Sequence, residues 1–129
     1  MKVKKFLCGA LASVLVFSYM IIPVNAASAT LNTNQTSVWS GEEMGEEIAL
    51  VEAFNNASSE REVYFDLKYY SGTRWKKDKC AATLHPNDRL QQYVLSSRKA
   101  APVTWILQIN TYNARHTGCS AYGSIIVTA

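Results

Sequence analysis

The stretch Tyr69-Tyr70-Ser71-Gly72-Thr73-Arg74-Trp75-Lys76-Lys77 sets aromatic rings and cations on both sides of a Ser-Gly turn. Stacking on a sugar or a base requires flat rings with hydrogen-bond donors beside them, and exposed Trp and Tyr are common anchors at interfaces. Tyr70, Arg74, Trp75, Lys76 and Lys77 are therefore the candidate binding residues. A Tyr-rich core edge would read the same way, so solvent exposure decides between the two. Strand parity favours exposure for Tyr70, which shares its side with Asp66 and Lys68, whereas Trp75 has no such argument.

Groups suited to catalysis are few. His85 and His116 could serve as acid and base on opposite sides of a phosphodiester, with Lys or Arg stabilising the developing charge, as a compact nuclease would need. Both lie in turn-like sequence, where a His is more often simply solvated. No G-x-S-x-G, H-E-x-x-H, phosphate loop or catalytic Cys context accompanies them, so no catalytic residue is assigned and no cofactor is expected. Cys80 and Cys119 remain as an even pair once a leader is removed, and in an exported chain they are expected to form one disulfide. A metal site completed by the two histidines would lack the usual ligand spacing, so no metal is expected. Glu42, Glu43, Glu46 and Glu47 read as a solvated acidic face, because the Asp, Asn and Gly register of a calcium loop is missing.

The elements that must hold these residues read as strands. In 60–70, Val63, Phe65, Leu67 and Tyr69 alternate with Tyr64, Asp66, Lys68 and Tyr70, the period-two signature of a half-buried strand. Val103, Trp105, Leu107 and Ile109 share a face in 103–112, and Cys119, Ala121, Gly123, Ile125 and Val127 share one in 119–128. The short, turn-rich Asn113 to Gly118 between these last two predicts an antiparallel hairpin. Further strands are expected over 29–38, 47–54, 74–84 and 89–96. Of these, 47–54 is open to a helical turn, and Gly41 to Phe54 is the likeliest helical exception. Turns fall at Trp39-Ser40-Gly41, Ser71-Gly72 and His85-Pro86-Asn87-Asp88. The expected fold is all-β: one small antiparallel β-sandwich or barrel of six to seven strands, stapled by one disulfide.

A leader precedes that domain. Met1 to Lys5 is basic, Phe6 to Ile22 is apolar, and Pro23-Val24-Asn25-Ala26 offers small residues for a signal peptidase, which predicts a signal peptide over 1–26 and a secreted domain over 27–129. No membrane span is expected after cleavage. The formal charge of +3 belongs to the leader's lysines, and the remaining chain is balanced. That argues against a dedicated nucleic-acid binder. The balance hides an asymmetry, for Ala27 to Asp66 carries −7 and Leu67 to Ala129 carries +7. Either the halves pair across a sheet, or they leave a basic face around Arg74, Lys76, Lys77 and Lys79.

In leader style and size the chain resembles the small exported proteins of Gram-positive bacteria and their prophages, a resemblance that assigns no residue. The expected function is a non-enzymatic β-rich binding module for an extracellular polymer or protein. A small secreted hydrolase using His85 and His116 is the second reading, and a secreted antimicrobial or toxin protein the third.

Overall fold

A computed structural model describes residues 24–93 and 97–128. Nine strands are found among them: β1 (Val24–Leu31), β2 (Ser37–Trp39), β3 (Glu43–Gly45), β4 (Glu47–Asn55), β5 (Val63–Tyr70), β6 (Trp75–Leu84), β7 (Arg89–Tyr93), β8 (Val103–Asn110) and β9 (Ala121–Thr128). A single 3-10 turn, Tyr112–Ala114, follows β8. One sheet has the order β1-β9-β4-β7; the other runs β2-β8-β5-β6, with β3 also on β8, and every pairing is antiparallel. The expected leader falls outside the described residues up to Pro23, and the end of the expected strand 89–96 falls outside them at 94–96. β1 begins at Val24 and pairs along its length with β9, so processing after Ala26 would leave Ala27–Leu31 to pair with Ala121–Ile125.

The core lies between the sheets and is filled from both inner faces: Leu31, Ile48, Val51, Ile125 and Val127 from one, Val63, Phe65, Leu67, Trp105, Leu107 and Ile109 from the other. Period-two alternation explains most of this set. Where a residue is inserted, parity resets. The pairing of β4 with β9 shifts between Ile48 and Leu50, so Ile48 and Val51, three apart, both point inward. That spacing is why 47–54 admits a helical reading, and Gly41 to Phe54 holds strands instead.

The expected hairpin of 103–112 with 119–128 is not formed. β8 and β9 belong to different sheets and face each other across the core, β8 pairing with β2, β3 and β5 and β9 with β1 and β4. The turn-rich link carries the chain over the edge of the sandwich, with Asn113 and Ala114 at φ 52° and 51° and Gly118 at φ 92°. The expected strand 29–38 likewise splits into β1 and β2, one in each sheet, after a turn in which Gln35 N–H donates to the Asn32 carbonyl.

The expected Cys80–Cys119 disulfide is also corrected, because both thiols are free. Cys119 is in the core, as its parity predicts, and its Sγ donates to the Arg61 carbonyl at 3.5 Å. Regular alternation back from Leu84 and Ala82 would turn Cys80 inward as well. Ala81 is an extra residue where the β5–β6 register shifts, so Ala82 pairs with Phe65 but Cys80 pairs with outward-facing Asp66. Cys80 is exposed, and the sheet separates the two sulfurs.

Close approach of β3 to the end of β9 depends on Gly45, where a Cβ would collide with the Thr128 carbonyl oxygen. The Gly45 carbonyl in turn accepts from Trp105 Nε1 at 2.8 Å, which satisfies the one polar atom of the largest buried ring. The opposed charges of the two halves meet as ion pairs at Lys77–Asp66 (3.6 Å) and Arg98–Glu46 (3.0 Å). Among the described residues no helix is long and apolar enough to cross a membrane.

Candidate functional site

The outer face of the five-stranded sheet is built from the out-of-phase residues of β5, β8, β2 and β6. On β5 these are Tyr64, Asp66, Lys68 and Tyr70, and the register brings Trp75 opposite Tyr70, Lys77 opposite Lys68 and Gln108 opposite Asp66. Gln108 is flanked on its other side by Trp39 of β2. Three rings collect at the turn end of this face. Tyr70 and Trp75 lie 5.3 Å apart edge-on, and Trp39 meets Trp75 at 6.0 Å, also edge-on. Tyr70 is 39% exposed and Trp39 42%, with Trp75 half-buried between them. Lys68 Nζ sits 4.9 Å from the Trp39 ring centroid, and among the described residues no carboxylate lies within 4.0 Å of it.

This cluster has its own floor. Ile106 follows Trp105 and precedes Leu107, so it points away from the sandwich core, yet it is only 1% exposed. Its partner across the strand is Lys68. An aliphatic side chain buried on the outer face makes the patch a packed surface rather than a set of free rings.

Of the candidate binding residues, Tyr70, Trp75 and Lys77 come together on this face. Lys77 is engaged with Asp66. Lys76 pairs with Tyr69 and stands on the opposite side of β6, while Arg74 closes the turn through its carbonyl, which accepts from Ser71 N–H at 2.9 Å. Gly72, at φ 101°, supplies the left-handed residue of that turn. The basic run is thus divided between two sides of one strand. Trp39, Lys68 and Ile106 are the members that sequence reasoning missed. Ile106 carried a signal, since an apolar residue out of phase in Trp105-Ile106-Leu107 requires cover on both sides of its strand. Nothing in the sequence linked Trp39 to Trp75.

Beyond Lys68 the face opens into a cleft of about 450 Å³ lined by Tyr64, Asp66, Lys68, Gln108, Asn110 and Tyr112 among others. Its floor carries a chain of hydrogen bonds in which Gln108 Nε2 donates to Ser37 Oγ (3.1 Å) and Ser37 Oγ donates to Asn110 Oδ1 (2.7 Å). Gln108 Oε1 is buried and has no donor among the described residues. At the far wall the Tyr64 and Tyr112 rings lie 6.4 Å apart, and Tyr64 Oη donates to Glu62. Partial burial, with the Glu62 charge beside it, pushes the Tyr64 hydroxyl pKa up. Glu62 is held below the ordinary carboxylate range by a hydrogen bond from its own backbone amide and by that hydroxyl.

His85 is exposed in its turn and lines a separate recess with Glu60, Arg61, Glu62, Pro86 and Tyr112. His116 packs its ring 5.9 Å from Tyr112 and does not line that recess. No group of three or more His, Cys, Asp or Glu residues suited to a metal ion occurs among the described residues. Glu46 and Glu47, of the acidic run, face Arg98 at 3.0 and 3.9 Å.

No protein-family model matches the chain, and no curated protein sequence is significantly similar to it. Two solved structures are similar in outline. The crystal structure of Yersinia pseudotuberculosis-derived mitogen (YPM) is 12% identical, with a TM-score of 0.44 over 84% of this chain and 88% of that one. The crystal structure of PirA is 11% identical, with a TM-score of 0.46 over 81% of this chain and 93% of that one.

Proposed function

We propose that the domain is a secreted, non-enzymatic binding module that takes an extracellular polymer on the outer face of its five-stranded sheet. The observation that supports this most is the patch of Trp39, Tyr70 and Trp75. Its rings are in mutual contact through Trp75, partly exposed on the face that also buries Ile106, and flanked by the Lys68 ammonium, which has no carboxylate within 4.0 Å among the described residues. Such a surface offers apolar faces for stacking with a hydrogen-bond donor beside them, and it is held in place before any ligand arrives. Tyr70 and Trp75 stack, Lys68 and Lys77 donate, and Arg74 and Lys76 add positive charge at the turn.

Trp75→Ala and Trp39→Ala are each expected to weaken retention on immobilised cell-wall polysaccharide and on extracellular protein ligands alike by about 1–3 kcal/mol, the range of stacking contacts. Thermal melts should move far less than the roughly 3–5 kcal/mol that truncating a fully buried Trp removes. Undiminished retention of both variants on every ligand that the wild type binds would overturn the proposal.

A further inference from the structure

We propose that the ring patch and the cleft beside it form one continuous track, and that its ligand is a linear polysaccharide. This rests on the reading of the patch as a binding surface. Continuity comes from two residues that belong to both regions. Lys68 sits over Trp39 and also lines the cleft, and Gln108 pairs with Trp39 on β2 while its side chain lies in the cleft wall. Tyr70 and Tyr64, at the two ends, lie six positions apart on β5 and so about 20 Å apart. A track of that length with rings at both ends and polar groups between them suits several linked sugar rings rather than one.

The polar middle favours a hydroxyl-rich chain. Gln108 and Asn110 line it with amide groups, which both donate to and accept from hydroxyls. Asp66 adds a carboxylate to the same cleft. A nucleic acid would bring phosphates against that carboxylate, whereas sugar hydroxyls donate to it and accept from Lys68. The far end is shaped by uncommon backbone. Asn113 and Ala114 both adopt left-handed φ values directly after Tyr112, whose ring is exposed at the rim.

The test uses the secreted domain and an array of linear hexasaccharides with the matching trisaccharides, plus oligo(dT) and anionic vesicles as non-glycan probes. Wild type should bind at least one hexasaccharide more tightly than its trisaccharide. Tyr112→Ala should weaken the hexasaccharide by about 5- to 150-fold and leave the trisaccharide unchanged, while Trp75→Ala weakens both. If Tyr112→Ala binds the hexasaccharide as wild type does while Trp75→Ala does not, the track ends at the patch and this inference fails, with the binding-module reading intact. Binding of oligo(dT) or vesicles and of no glycan overturns the ligand class. If Trp75→Ala weakens nothing that the wild type binds, the binding-module reading fails with it.

Discussion

On the outer face of the four-stranded sheet, Arg89 caps the Phe54 ring at 4.5 Å, and Gln91 Nε2 donates at 2.9 Å both to Glu52 and to the Tyr93 hydroxyl. On the five-stranded sheet, Lys68 caps Trp39, and among the described residues neither Lys68 nor Arg89 has a carboxylate within 4.0 Å. Both faces carry aromatic rings, a cation and amide side chains. The first ties Gln91 to Glu52 across β4 and β7 and to Tyr93, and its Arg89 lies over a single ring; the second gathers three rings beside an open cleft. Residue type alone therefore does not mark a binding face, and the gathering of partly exposed rings beside a cleft does.

The largest expected effect separates the floors of the two faces. Ile106 on β8 and Ile126 on β9 both point outward from an inner strand of their sheet, yet Ile106 is buried and Ile126 is only half-buried, in a recess with Ala26, Ser28 and Tyr122. Ile106→Ala should cost about 2–5 kcal/mol of folding free energy, as at a fully buried site. Ile126→Ala should cost about 1 kcal/mol, in keeping with partial burial of its methylene groups. Urea unfolding of the two variants checks this. Equal and small losses would mean that Ile106 has no packed cover and that the ring patch is loose.

The same contrast shows what the sequence made legible. Faces within single strands were readable, since Val63, Phe65 and Leu67 on β5, Ala121 through Val127 on β9 and Cys119 just before it all lie where alternation puts them. Which strands pair was not. Two strands whose apolar faces meet across a sandwich have the same pattern as two that pair in one sheet, so β8 and β9 read as a hairpin. Insertions were invisible as well. The extra residues at Ala49 and Ala81 underlie the helical ambiguity in β4 and the outward direction of Cys80, which keeps it from Cys119. Of the site, Tyr70, Trp75 and Lys77 were found from one local segment. Trp39 was not, because its contact with Trp75 exists only once β2, β8, β5 and β6 are side by side.

An intermediate effect concerns how β6, the edge of the patch, is held. Asp78 is the extra residue at the second β5–β6 register shift, and it accepts from Lys99 Nζ at 2.7 Å; Lys99 also lies 4.1 Å from the Tyr69 ring centroid. Burial alone would raise the Asp78 pKa, but hydrogen bonds from Lys99 and Ser97 and the Lys99 charge outweigh it and hold the carboxyl below its ordinary value. A carboxyl lowered in the folded state stabilises the fold above the unfolded pKa, and that contribution disappears as the pH falls through the folded one. Asp78→Asn should therefore lose about 1–3 kcal/mol at neutral pH, the scale of a hydrogen bond to a charged group. The gap to wild type should close as the pH drops below about 4. A gap constant across that window would show that the carboxylate charge does not hold β6.

The smallest effect lies on the four-stranded sheet. Arg89→Ala removes the cation over Phe54, an exposed pairing that contributes about 0.5–1 kcal/mol. The guanidinium also covers part of the ring, so the loss is one of packing as well as charge, and raising the salt concentration should recover little of it in the wild-type comparison. If the four-stranded face takes no ligand, this variant should bind every glycan that the wild type binds with unchanged affinity while its melting midpoint falls slightly. A stability loss without a binding loss at Arg89, beside a binding loss without a comparable stability loss at Trp75, is the pattern that distinguishes a face built for the fold from one left open for a partner. Loss of glycan binding in Arg89→Ala would place the ligand on the wrong sheet and reverse the assignment of the two faces.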